Sequence, residues 1–583
     1  LSPANRDAAR RRRLLTRALP VAALASAAFI AGAVEGNRGA DLAGAQRFAD
    51  DWEKQDFADM HAELSPAAAR RYPLSSFTDE YGKAQETATV TDVTTGEVSE
   101  SDSGGQSAAS MPVTLDTHAF GQITGEIELP LDGDQIAWTP DLVFPGLGEN
   151  ERLVRHTEIP KRAPILARGG TPLAEGPATA RTSPLGSAAT GAVGEVSSPN
   201  AEQNKAEVML GFPPGTPTGT SGLEQAFNRR LAGRPGGELV AVAPGSGASS
   251  KSTVAATTKP VPGTPVHTTI DPDLQQAATA ALGGTYGGVA VLDATNGSVL
   301  ALAGLALSGP QPPGSTFKIV TTTAALDAGA VKLTDQFPIQ TSAVVDGREI
   351  ANAHNEACGG SFVEAFAESC NSVFVPLGPK VGSSQLVGTA ERYGFNAPPS
   401  LFDDQALKAM SPPQSTIPAS IPNDVDLAVT AIGQGEVLAT PLEMASVAQT
   451  IANGGTRSPT SMVRDASLQP SSGPVRVTSK ETASMLRELM IHVVTEGTGT
   501  AAALPDIQVA GKTGTAELGP KPLEPGQAEA GAVPEQNVDA WFTGFAPASK
   551  PKLVAAAMVV NASGDGGTVA APIVRQVLDA GLG

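Results

Sequence analysis

The sequence predicts a multidomain α+β protein whose carboxy-terminal domain is built on one central antiparallel sheet. Three observations carry that expectation. The chain has 583 residues, several times the roughly 100–200 residues that a single core usually serves. Apolar, strand-like segments occur at both ends of the region after about His267, with helical material between them, so the sheet must be assembled from distant parts of the chain. The stretch from Arg162 to about Pro265 is rich in Pro, Gly, Ser and Ala, and this divides a smaller amino-terminal α+β region from the large carboxy-terminal one.

Taken in order, residues 1–17 form a basic tail with Arg10, Arg11, Arg12, Arg13 and Arg17 ahead of the apolar run 18–34. That run is short but long enough for a membrane span. The basic flank is expected to stay in the cytoplasm and to send everything after Glu35 across the membrane. A cleaved signal peptide, suggested by Ala25-Ser26-Ala27, and a buried helix are the competing readings. Residues 40–150 read as a small α+β domain. It opens on an amphipathic helix from Asp41 to Phe57, anchored by Phe48, Trp52 and Phe57. Residues 151–265 read as an extended pedestal with one helix around Leu223–Leu231.

From residue 266 to 583 the pattern becomes regular. Asp271 is placed to cap a helix that starts at Pro272 and runs to Leu282. Gly288–Leu302 reads as a hairpin turned at Asn296-Gly297. A helix follows Gly314, strands are expected at Trp541–Phe545 and Leu553–Val560, and a closing helix starts at Pro572.

Composition removes some functions. Asp and Glu outnumber Lys and Arg by 60 to 40, for a net charge of −20. A nucleic-acid partner is therefore not expected, because phosphate binding needs concentrated cations. With Cys358 and Cys370 as its two cysteines, the chain has no disulfide framework and no cysteine zinc site.

The chemistry lies in three short elements, in order: Ser315-Thr316-Phe317-Lys318, Ser369-Cys370-Asn371 and Lys512-Thr513-Gly514. Each alone is weak, since Ser549–Lys552 and Ser198–Asn200 also match in turn-like sequence. Order, spacing and context single out the three. A serine hydroxyl attacks only if a base takes its proton. At the start of a helix, positions three apart share a face, so Lys318 is expected to point at the Ser315 oxygen. An amine base must be neutral, which burial and the nearby Lys512 cation would secure. Ser369 would relay protons to the leaving amine, and Asn371 would hold Lys318 and a substrate amide. Val509–Ala516 reads as a strand in which Gly511 and Gly514 admit another backbone. The N–H groups of Ser315 and Thr515 would then form an oxyanion hole.

With these motifs the chain resembles the penicillin-binding protein transpeptidases, specifically the class B type that carries no glycosyltransferase. Further matching segments are Ser221–Glu224, Thr268–Asp271 with Leu274-Gln275, Pro313-Gly314, Ile432–Gly435, Thr440–Leu442, Trp541-Phe542 and Gly544–Pro547. The amino-terminal domain, with Trp138, Pro140, Phe144 and Pro145, is similar to the NTF2-like domain of methicillin-resistance-type members. The resemblance implies a transpeptidase fold with a helical subdomain beside its sheet. It also implies attack on the penultimate D-Ala carbonyl of a peptidoglycan stem pentapeptide, acylation of the same serine by β-lactams, and partners in a wall-synthesis complex. No cofactor or metal is expected, and Thr513, Gly514 and Thr515 would line the substrate. A D,D-carboxypeptidase, a β-lactamase or β-lactam sensor, and an inactive scaffold are the rival functions.

Two departures from the family pattern stand out. Gly304–Pro313 is a short approach to the nucleophile, which would leave the groove more open. Ala163 and Ala167 stand where a glycine and an aspartate are expected in the pedestal. Finally, Cys358 and Cys370 flank an apolar helical segment and have no competing cysteine. On the extracytoplasmic side they are expected to form a disulfide, contributing about 3 kcal/mol in the chain-entropy model. Two buried thiols filling core space is the alternative.

Overall fold

The computed structural model describes residues 42–103, 106–243, 253–520 and 536–583, so the basic tail and the apolar run 18–34 lie outside the described residues. Among the described residues, no helix is long and apolar enough to cross a membrane. The chain forms two compact units.

The first unit joins the amino-terminal region to residues 201–214 and 234–261. Its sheet runs in the order Val90–Thr95, Gln106–Thr117, Gly121–Asp132 and Gln135–Ile136, with Ser99–Ser103 also pairing to the second of these. Helices Ala43–Glu53 and Leu74–Ala88 bury Phe48, Trp52, Phe77 and Tyr81 in its core. There Phe77 and Trp138 lie 4.8 Å apart and Trp52 and Tyr81 5.3 Å apart. The first helix stops before Phe57. Gln55 takes a left-handed φ of 59°, and the Asp56 side chain accepts from Asp59 N–H to start a new helix, Phe57–Ala62. Strand Gly236–Val242 pairs with Arg152–Glu158 on one side and Thr253–Thr258 on the other.

The second unit contains residues 161–200, 215–233 and 262–583. The helix expected at Leu223–Leu231 is two short ones, Gly222–Ala226 and Asn228–Ala232, because Phe227 leaves helical geometry at φ −113° and ψ 23°. In the first unit, a helix at Ala201–Met209 has little amphipathic pattern to reveal it and is absent from the sequence expectation.

In the large domain, α1 (Pro272–Leu282) starts where Asp271 accepts from the N–H groups of Asp273 and Leu274. Then come β1 (Gly287–Asp293), β2 (Val299–Gly304), α2 (Lys318–Asp327) and the small hairpin β3 (Ser342–Val345) and β4 (Arg348–Ala351). They are followed by α3 (Phe362–Ala367), α4 (Asn371–Val381), α5 (Pro441–Ala452), β5 (Ala510–Pro520), β6 (Gln536–Ala546), β7 (Leu553–Ala562) and α6 (Ala571–Leu582). The sheet order is β2-β1-β7-β6-β5, antiparallel throughout. Alternate residues of β1 enter different cores. Val289 and Val291 pack with Leu274, Val574 and Val577 from α1 and α6, while Ala290 and Leu292 share the core of Val320 and Val447 from α2 and α5. The strand therefore reads as a continuous apolar run, as a sheet covered on both faces requires.

Candidate active site

Ser315 sits on a single tight turn, Gly314–Phe317, that leads into α2. Three glycines let other backbone press against that turn. Gly314 has a φ of 52° and donates its N–H to Gly433 O at 2.9 Å. Gly433 itself is at φ 71°, and a Cβ there would lie 2.1 Å from Gly314 O. A Cβ on Gly514 would lie 2.7 Å from Pro313 O. The edge strand β5 is thus docked directly beside Ser315, with Lys512, Thr513 and Thr515 along it. Gly511 differs from expectation. Its missing side chain makes room chiefly for the Phe542 ring rather than for backbone.

Lys318, Ser369, Asn371 and Lys512 meet in one hydrogen-bonded cluster. Lys318 Nζ donates to Ser369 O at 2.7 Å, Ser369 Oγ at 3.2 Å and Asn371 Oδ1 at 2.8 Å. Lys512 Nζ donates to the same Ser369 Oγ at 2.9 Å and to Thr513 O at 3.2 Å. The expected Lys318–Ser315 hydrogen bond is not present. The amine is drawn instead to the carbonyl, hydroxyl and amide oxygens of the Ser369–Asn371 loop, and Ser315 is left half-buried beside it. Catalytic hydrogen bonds often close only in the complex with substrate. Ser369 reaches between the two lysines from a left-handed backbone, φ 59°, a conformation uncommon for a residue with a Cβ.

Both lysines are fully buried. Burial pushes the Lys318 ammonium well below its ordinary range, and the nearby Lys512 charge pushes it further. Lys512 is pushed down to about 7 by burial, against the opposing effect of the Glu368 carboxylate. Each amine also lies over an aromatic ring, Lys318 at 5.0 Å from the centroid of Phe374 and Lys512 at 5.7 Å from Phe366. These faces favour whatever charge remains.

Some contacts carry no sequence signal recognised above. Thr498 and Thr513 share a 2.6 Å hydroxyl hydrogen bond, and Gly566 N–H donates to Thr515 Oγ1 at 3.3 Å. The short approach to Ser315 is held by reciprocal backbone bonds between Gln311 and Ala439. Cys358 and Cys370 are joined in a disulfide, with Cα atoms 5.8 Å apart, so the paired reading holds over the buried-thiol one.

Three family models match the chain. They are the penicillin-binding protein transpeptidase domain over 287–579, the penicillin-binding protein dimerisation domain over 173–268, and the NTF2-like N-terminal transpeptidase domain over 41–151. The chain is 34% identical over 376 residues to the peptidoglycan D,D-transpeptidase PbpA of Mycobacterium tuberculosis, covering 54% of this chain and 72% of that one. The imipenem acyl-enzyme structure of penicillin-binding protein A from M. tuberculosis matches with a TM-score of 0.54 and 27% identity, over 73% of this chain and 99% of that one. The D,D-transpeptidase domain of a peptidoglycan glycosyltransferase from Eggerthella lenta matches with a TM-score of 0.56 and 27% identity, again over 73% and 99%.

Proposed function

The chain belongs to the class B penicillin-binding proteins, the serine D,D-transpeptidases of peptidoglycan, and from that premise we propose that Ser315 is the residue acylated. The observation that carries this reading is the Ser369 hydroxyl, hydrogen-bonded by both buried lysines next to the Ser315 turn. Once neutral, Lys318 keeps two N–H groups, for Ser369 O and Asn371 Oδ1, and its lone pair takes the proton as Ser315 Oγ attacks the penultimate D-Ala carbonyl and a carbon–oxygen bond forms. The N–H groups of Ser315 and Thr515 receive the oxyanion. Collapse breaks the peptide bond, and the proton passes from Lys318 through Ser369 to the departing D-Ala amine. An amine from a neighbouring stem then attacks the ester carbonyl: a carbon–nitrogen bond forms, the carbon–oxygen bond to Ser315 breaks, and the proton the amine sheds returns through Lys318 to Ser315 Oγ. Asn371 holds Lys318 through Oδ1, and Thr513, Gly514 and Thr515 line the donor peptide.

The proposal includes a membrane anchor at 18–34 with the catalytic domain outside the cytoplasm, supported by the arginines that precede the run. It also includes the division into an NTF2-like domain at 40–150, a pedestal at 151–265 and a transpeptidase domain at 266–583, and docking into a wall-synthesis complex. The test is incubation with a fluorescent penicillin followed by peptide mapping. The label should fall on the Ser315 peptide and persist. Hydrolysis of many penicillin molecules per minute would instead favour a β-lactamase.

The two lysines also set a pH dependence. Acylation needs Lys318 free of a proton and Lys512 carrying one. Lys318, held lower by the Lys512 charge, gains its proton as pH falls, so the rate drops on the acid side. Lys512 loses its proton as pH rises through about 7, so the rate drops on the alkaline side too. The expected profile of the acylation rate constant is a bell whose limbs belong to the coupled pair. A wild-type profile that climbs without an alkaline limb would remove Lys512 as the cation.

A further inference from the structure

Between α2 and α3 the chain forms a strap. Strands Gln336–Gln340 and Cys358–Ser361 pair with each other, and the β3–β4 hairpin lies between them in sequence. Asn352, directly after β4, is only 6% exposed, and both N–H groups and the oxygen of its side-chain amide are bonded. Nδ2 donates to Gln340 O and Glu356 O, both at 2.8 Å, and Oδ1 accepts from Ser372 N–H at 2.7 Å. An N–H faces the oxygen and two carbonyls face the nitrogen, so one orientation of the amide satisfies all three.

Ser372 is the second residue of α4, and its N–H is one of those a helix start leaves without an internal partner. Cys370 holds the capping position, but its side chain makes no capping hydrogen bond and its sulfur is bonded to Cys358. The cap comes instead from Asn352, 20 residues upstream. One residue earlier in each segment the same two stretches meet again, where Asn371 Nδ2 donates to Ala351 O at 2.9 Å. Asn371 is thus held by the strap at Nδ2 and by Lys318 at Oδ1.

We propose that Asn352 is a positioning residue for acyl transfer. It caps α4 from the strap and locks the two segments together, so that Asn371 presents its oxygen to Lys318. This inference rests on reading Ser315 as the nucleophile. It requires that the effect of Asn352 on the reaction pass through Asn371.

A double-mutant cycle on the second-order rate constant of penicillin acylation tests it, using the full chain. Asn352→Ala is expected to slow acylation on the order of 10²-fold, the size of effect a small misplacement of reacting groups produces. In an Asn371→Ala background the same change should slow it less than about threefold, since the partner it positions is gone. Equal losses in both backgrounds would mean general damage to the fold and overturn the proposal, as would an unchanged rate for Asn352→Ala. Asn352→Asp keeps the acceptor for Ser372, and it is carried through the same cycle to decide the matter if the alanine variant does not fold. The wild-type label separates two failures. If it does not map to Ser315 the reading of the site is wrong, whereas a wild-type label on Ser315 with no coupling removes only the role of Asn352.

Discussion

Ser315→Ala is expected to abolish covalent labelling by penicillin while leaving the fold intact. The substitution removes the atom that forms the ester, and no other group near the turn replaces it: Ser369 Oγ is already engaged by Lys318 and Lys512. It removes no hydrogen bond of the Ser315 hydroxyl among the described residues, and the turn is held by Gly314 and Gly433 backbone. Stability should therefore stay within about 0.5 kcal/mol, as for substitutions away from packed or bonded groups. Gel fluorescence with a labelled penicillin and a thermal melt check both halves. Undiminished labelling of a folded Ser315→Ala protein would end the assignment.

Lys318 gives the second large effect, and here rate and stability need separating. Loss of a general base lowers the rate by roughly 10²–10⁴-fold. Lys318→Ala also empties a fully buried site and leaves Ser369 O and Asn371 Oδ1 without their donor. A cavity of that kind costs about 2–5 kcal/mol. Lys318→Met fills most of the space but provides no base. It should lose acylation to the same order as Lys318→Ala while melting closer to wild type. If the methionine variant were acylated at a near-native rate, Lys318 would have no part in proton transfer.

Much of this arrangement was legible in the residues because it is local. Asp271-Pro272 marks a helix start, Asn296-Gly297 a hairpin, and the apolar run 553–560 a strand, each through chemistry carried by neighbours in sequence. The three motifs were legible as one site because their order restricts what they can be. What escaped is decided across the chain. Nothing around Ser369 announces a left-handed backbone, since that conformation exists to satisfy two lysines from other elements. Asn352 looks like an ordinary loop asparagine until the helix start it caps is in view. The length of the first helix was overestimated because apolar periodicity continues to Phe57, whereas Asp56 offers a competing start. Residues 201–214 and 234–261 pack with the first unit, and strand partners so far apart leave no periodic trace.

The order of the central sheet also imposes an order on synthesis. β1 is made early, yet one of its two neighbours is β7, with Gly287 opposite Val559 and Asp293 opposite Leu553. β5, which carries Lys512, joins the sheet only through β6. While everything between is being translated, the β1–β2 hairpin has an apolar edge with no partner, which invites mispairing. A nascent chain halted before Leu553 therefore contains Ser315, Lys318, Ser369 and Lys512 but lacks the strand that links β5–β6 to β1–β2. The two halves of the site's sheet are joined only once Leu553–Ala562 has been made.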